Sequence, residues 1–275
     1  MTSALGQRIV TAVLLAAVVV GVLMLLEPAV ALPVIACVFL AAAWEWAGFA
    51  GETSTIERVV YLVSIGATLA ILWGLTQSPL VLRQMLWSTA AWWLAATLWL
   101  WWAPRRGGSR TALLAGFFVL APAAVALAHL VLIEPHGREL LLFLVVLVAA
   151  ADVGAYFGGR RFGRHKLAPY VSPGKTWEGL ISGLGAAAVV AIGGGVLFAM
   201  PWARWLALCL VVAAVSVIGD LVESMFKRNL DTKDFGSIVK GHGGVLDRFD
   251  GFLFALPAVY YLTMVLEPWN VVRAG

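Results

Sequence analysis

Charge is what this chain has least of. Lys, Arg, Asp and Glu supply 12% of its 275 residues and hydrophobic residues 62%, against about a quarter and about a half in soluble globular domains. That scarcity excludes a soluble fold wrapped in a charged shell, and no stretch stands apart as a soluble domain, an internal repeat or a low-complexity tail. Thiols are almost missing as well. Cys37 and Cys209 are the only two; both lie in apolar runs without a CxxC partner, which argues against a thiolate metal site or a redox pair and leaves them as small core residues. The N-terminal MTSALGQR leads into an apolar run as a signal peptide would. No small-residue cleavage site interrupts it before Glu27-Pro28, so this run is expected to remain as a first membrane span.

What the chain has instead is apolar length. A helix needs about 20 apolar residues to cross a bilayer, and such segments recur at 9–27, 29–50, 59–77, 85–103, 111–133, 139–158, 178–199, 203–222 and 251–268. The expected fold is all-α: a polytopic integral membrane protein of about nine transmembrane helices. Lys and Arg in short loops orient such proteins. With the N-terminus cytoplasmic, only Arg83, Arg138, Arg204 and Arg273 of the 19 basic residues fall outside, so the C-terminus is expected outside. We read residues 1–275 as a single membrane domain. Residues 1–138 form a tryptophan-rich, charge-poor scaffold with interfacial aromatic anchors, and residues 139–275 carry the polar chemistry on two long cytoplasmic connections, about 159–177 and 223–250.

A carboxylate inside a span costs roughly 2.5–3.5 kcal/mol at the bilayer centre, so it usually faces the protein interior or a wet cavity. Glu45, Asp152, Glu178 and Asp220 all fall near the cytoplasmic ends of their spans. A proton or ion path would spread acids through the bilayer depth, whereas gathering at one face suits a site where a soluble and a lipid reactant meet.

The densest polar run is SMFKRNLDTKDFGSIVKGHGGVLDRFD, Ser224 to Asp250. Just before it, Asp220, Glu223 and Lys227 stand at i, i+3 and i+7, one helical stripe leaving the membrane, with Ser224 one turn past Asp220. Asp247 and Asp250 repeat the i, i+3 spacing at the mouth of the last span. Two such helix ends could meet around a cation; oxygen donors without His or Cys clusters favour Mg²⁺ over zinc. The competing reading pairs Asp247, Arg248 and Asp250 with neighbouring bases. Lys227, Arg228, Lys233 and Arg248, with Gly241, Gly243 and Gly244 allowing close backbone approach, describe a polyphosphate cradle. His242 is read first as a phosphate contact, with general acid–base work and a satisfied loop histidine as the other readings. In the other connection Arg160, Arg161, Arg164, His165, Lys166 and Lys175 form a basic patch at headgroup level. A topogenic signal accounts for that patch on charge alone, but SPGKTWEG adds turn and anion-contact residues before a helix start, where free amides favour negative groups.

The run from Ser224 to Asp250 resembles the signature of CDP-diacylglycerol synthases (phosphatidate cytidylyltransferases): serine, x, apolar, Lys-Arg, four residues, Lys-Asp, then His-Gly-Gly, two residues, Asp-Arg, one residue, Asp. The matching positions are Ser224, Phe226, Lys227, Arg228, Lys233, Asp234, Gly236, His242, Gly243, Gly244, Asp247, Arg248 and Asp250. The preceding GDLVES, DVGAYFGGRRFGRHKLAP and SPGKTWEG extend the resemblance over about 139–268; earlier spans share mainly hydropathy and Glu45-Trp46. Lys240 departs from the small residue or proline usual there, and Asp152-Val153-Gly154 from the more familiar Asp-Thr-Gly.

The resemblance implies cytidylyl transfer from CTP to phosphatidic acid, giving CDP-diacylglycerol and pyrophosphate. It implies Mg²⁺ held by Asp220, Asp247 and Asp250 with support from Asp152. Lys227, Arg228, Lys233 and Arg248 would contact the phosphates, with Ser224 and His242 orienting them. Asp231 and Asp234 would order the loop or touch the nucleotide, beside Gly243 and Gly244; Ser172, Lys175 and Thr176 would contact substrate phosphate. The implied setting is the inner membrane, with no nucleic-acid partner and with a homodimer left open. Two alternatives stand beside this: a CTP-dependent kinase of a prenol-type lipid, and an anion transporter.

Overall fold

The computed structural model describes residues 27–50, 54–134, 136–229 and 246–265, with Gly21 and Leu25. Along them run α1 (Pro28–Trp46), a 3-10 turn (Ala47–Ala50), α2 (Thr55–Leu75), α3 (Pro79–Trp102), α4 (Ser109–Leu132), α5 (Gly137–Phe162), β1 (Lys166–Ala168), β2 (Ser172–Thr176), α6 (Trp177–Leu197), α7 (Trp202–Asn229) and α8 (Leu246–Val265). The span expected at 9–27 lies almost wholly outside the described residues; each of the other eight expected spans has its helix. Among the described residues six apolar stretches are long enough to cross a membrane: Ala29–Phe49 and helices α2, α4, α5, α6 and α7. The chain is thus a multi-pass membrane protein. In α3, six tryptophans lower the hydropathy while suiting the membrane interface.

Local chemistry sets the helix starts. Proline occupies the first turn of α1 and α3, where its missing N–H costs nothing. At α2 the Ser54 side chain accepts the Glu57 amide at 3.3 Å and Glu57 Oε2 accepts the Ser54 amide at 2.8 Å, a reciprocal capping box.

Helix α4 is the central post. It is apolar on every side, and Ala112, Ala115, Gly116, Val119, Leu120 and Ala123 are among its buried residues; a helix apolar all round belongs inside. The indole of Trp46 donates to Ala112 O at 2.8 Å and the Tyr61 hydroxyl to Leu113 O at 3.1 Å, tying α1 and α2 to it. Gly116 makes room for both rings: a Cβ there would overlap the Tyr61 hydroxyl and the Trp46 indole.

The second half packs more closely. Between α5 and α6, Gly154 and Gly158 face Ser182 and Ala186, while Gly179 and Gly183 face the carbonyls of Ala155 and Ala151. Small residues let membrane helices approach backbone to backbone. The halves join through aromatic rings. Phe226 of α7 lies 5.7–6.2 Å, centroid to centroid, from Trp46, Phe49 and Trp99, and Trp93 of α3 lies 4.4 Å from Phe254 of α8.

The fold is all-α as expected, and the connection from α5 to α6 adds one short strand pair to it. This connection folds into an antiparallel hairpin with Lys166 opposite Thr176 and Ala168 opposite Ser172. Its tip is held from both sides: the Arg105 guanidinium lies 4.4 Å from the Tyr170 ring centroid, and Arg228 Nε donates to Val171 O at 3.4 Å.

Candidate active site

Beneath this hairpin, α5, α6 and α7 enclose a cavity of about 470 Å³. Four charged groups line it: Asp152 and Arg160 from α5, Lys175 from β2 and Asp220 from α7. Lys175 Nζ sits 2.5 Å from Asp220 Oδ2, and Ser224, one turn on, donates to Asp220 Oδ1 at 3.3 Å. The glycine contacts between α5 and α6 hold Asp152 at its place in the wall, and the hairpin carries Lys175 over to α7.

The junction between hairpin and α6 is heavily bonded. Thr176 Oγ1 accepts the Gly179 amide at 3.1 Å as the helix N-cap. Glu178 accepts the amides of Arg164 and His165 at 3.0 and 3.2 Å and faces His165 Nδ1 at 2.6 Å. The Trp177 amide donates to His165 O at 3.0 Å. This differs from the expectation of open amides at the helix start: Trp177 and Gly179 already donate within the loop. Thr176 lines the cavity while serving as cap. Ser172, at the far end of β2, is not among the lining residues.

The four acids expected at one face divide by role. Asp152 and Asp220 share the cavity, Glu178 closes the loop, and Glu45 is buried at 4% exposure without lining the cavity. The stripe on α7 divides as well. Asp220 lines the cavity with Ser224 bonded behind it, whereas Glu223, 1% exposed, takes the Lys227 ammonium at 2.7 Å, and Arg228 is on the hairpin tip. Asp231, Lys233, Asp234, Lys240, His242, Gly243 and Gly244 lie outside the described residues. Asp247, Arg248 and Asp250 lie within the first five residues of α8, of which the backbone is described.

Two polar lining residues, Tyr156 and Arg160, were not among the expected site residues. Arg160 Nη1 donates to the Tyr156 hydroxyl at 3.2 Å, and both border the cavity. Their signal was helical spacing: Asp152, Tyr156 and Arg160 stand at i, i+4 and i+8, one face of α5. On charge alone Arg160 reads as part of the surface patch.

A cavity with two carboxylates, a lysine and an arginine, set at the basic end of a membrane-spanning helical bundle, defines a class: an integral-membrane protein with a charged site at one membrane face. The chain belongs to the cytidylyltransferase family, whose model matches residues 6–266. It is 38% identical to the phosphatidate cytidylyltransferase of Pseudomonas aeruginosa over 263 residues, covering 92% of this chain and 94% of that protein. It is 35% identical to the protein of that name from Haemophilus influenzae, covering 94% of this chain and 98% of the relative. The Bacillus subtilis phosphatidate cytidylyltransferase is 38% identical over 158 residues, 54% of this chain and 57% of that protein.

Proposed function

We propose that this protein transfers the cytidylyl group of CTP to phosphatidate, releasing pyrophosphate and leaving CDP-diacylglycerol in the membrane. The observation that carries the reading is the meeting of Asp152, Lys175 and Asp220 in one cavity at the basic end of the bundle. Likeness to phosphatidate cytidylyltransferases along nearly the whole chain supports the substrates. The active face would look into the cytoplasm from the inner membrane.

In this reaction a phosphate oxygen of phosphatidate attacks the α-phosphorus of CTP. The bond from that phosphorus to the bridging oxygen breaks, and pyrophosphate leaves with the electron pair. The nucleophile is already an anion, so little proton transfer is needed; positioning and charge stabilisation dominate. Lys175 is placed to reduce repulsion between the two anionic reactants, its ammonium passing from Asp220 to phosphate oxygen. Arg160, at the cavity edge, offers a second cationic donor. Asp152 and Asp220 fit Mg²⁺, which typically binds one or two carboxylates together with substrate phosphates. Among the described residues no trio of His, Cys, Asp or Glu is gathered as a fuller protein cage. Mg²⁺ bound here would neutralise phosphate charge. Asp247 and Asp250 stand as further ligand candidates, with Lys233, His242 and Arg248 as phosphate contacts; Lys227 and Arg228 would have to leave Glu223 and Val171 O to join them.

Purified protein given CTP, phosphatidate and Mg²⁺ should move label from the α-phosphate of CTP into lipid, with one pyrophosphate per lipid formed and neither product when phosphatidate or Mg²⁺ is withheld. Label from the γ-phosphate in lipid, with CDP released, would instead establish a lipid kinase; no product from CTP would favour a transporter. Asp247→Asn should abolish turnover in a folded, membrane-inserted protein, and near-normal activity would remove Asp247 as a required ligand.

A further inference from the structure

A second cavity adjoins the first. It occupies about 420 Å³ between α3, α6 and α7 under the hairpin, and its wall is apolar, including Leu100, Leu184, Ala214 and Ile218. Leu167, Leu180 and Val217 line both cavities, so one apolar partition has Lys175 and Asp220 on one side and a greasy groove on the other. The groove is not an ordinary dent in the lipid-facing surface. Trp101 and Trp177 flank it with ring centroids 6.0 Å apart, 59% and 40% exposed, and Tyr170 adds a third exposed ring under Arg105. Exposed indoles and phenols at helix ends sit at headgroup depth, so the groove opens sideways at the level where a lipid's ester region lies. From that mouth Trp177, Leu180 and Leu184 of α6 run inward for about 10 Å at 1.5 Å per residue, with Ala214 at the inner end on α7.

We propose that this groove holds the first part of one acyl chain of the phosphatidate substrate, entering beside the contacting pair Trp101 and Trp177, with the lipid phosphate crossing the partition of Leu167, Leu180 and Val217 to reach Lys175. This rests on the functional reading above. The shape argues for one amphiphile: a polar and an apolar cavity that share a wall fit a phosphate and the chain attached to it. A bulk bilayer lipid is the other occupant, and the experiment separates the two.

Ala214→Phe plugs the inner end. Each buried methylene is worth about fourfold in affinity. The variant should therefore lose at least tenfold in kcat/KM for dioctanoyl phosphatidate, less than twofold for dibutanoyl phosphatidate, and keep the wild-type KM for CTP. Equal losses with both lipids would overturn the groove. Should Ala214→Phe fail to fold, Leu184→Ala serves in its place, removing chain contacts with the same dependence on length. A phosphatidate carrying a diazirine on its acyl chain provides an independent readout. It should crosslink to the peptides spanning 177–184 and 214–221, and unlabelled phosphatidate but not phosphatidylcholine should suppress the crosslink. Equal suppression by phosphatidylcholine would make the groove a site for bulk lipid and overturn the proposal. Wild-type protein that converts no phosphatidate at all would refute the functional reading itself. Turnover by wild type without any length-dependent loss in the variants would refute the groove alone.

Discussion

Lys175 and Asp220 form the contact on which the reaction cavity turns. At 2.5 Å each neutralises the other, so removing one partner leaves the other's charge without its nearest counter-ion. The two should behave as a unit. Lys175→Met and Asp220→Asn are each expected to lower kcat about 10²-fold, the usual scale for losing one group that stabilises developing charge. The double variant should fall little further than the worse single one. Purified enzyme assayed with saturating CTP gives the comparison, and strictly multiplicative losses would show that the residues act separately. Spacing foretold that Asp220 lies on a helix but not which neighbours share its face. At 3.6 residues per turn, positions i and i+3 differ by about 60° and positions i and i+4 by about 40°. That difference is enough to put Ser224 with Asp220 and Lys227 with Glu223 on two separate rows. Which row faces a cavity is decided by the hairpin, whose partners come from elsewhere in the chain.

The hairpin and the α5–α6 pair are the elements that make the site. Neither strand announces itself: β1 has three residues, and β2 contains Pro173 and Gly174, types that argue against a strand. Its shape depends on Arg105, Glu178 and Arg228, contacts that a local pattern cannot express. The helix pair was legible only as two spans. Its glycines mattered more than its hydropathy, because a Cβ at Gly183 would lie 2.6 Å from Ala151 O and force the helices apart at the residue next to Asp152. Gly183→Ala is therefore expected to lower the detergent melting temperature and cut activity at least tenfold, since small displacements of positioned groups cost rate steeply. Gly185 of the same helix has nothing within 4 Å, so Gly185→Ala should leave both unchanged. Parallel thermal inactivation and activity measurements on the two variants test this; equal behaviour would mean that the close approach is not what holds Asp152.

At the scale of the whole molecule, charge sorting carries the argument furthest. Short connections make successive helices antiparallel, so Arg58, Arg105, Arg160, Lys166, Lys175 and Arg228 gather at one end and Arg83, Arg138 and Arg204 at the other. The cavity, the hairpin and the groove mouth all belong to the first end. The opposite end is tied by a different chemistry: His129 Nε2 lies 3.2 Å from Thr76 Oγ1, and Tyr260 Oη lies 3.3 Å from His129 Nδ1, linking α2, α4 and α8 through a buried polar knot. Its members come from three separate helices, so only the fold brings them together. The basic excess sets the expected orientation and yields a test independent of catalysis. In a Cys37→Ser background, Gln77→Cys lies in the exposed turn between α2 and α3, and Lys166→Cys in the exposed hairpin; Cys209 is buried. A membrane-impermeant maleimide added to intact spheroplasts should label the first variant and reach the second only after permeabilisation. The reverse pattern would place the basic end outside, where neither CTP nor the positive-inside rule could account for it.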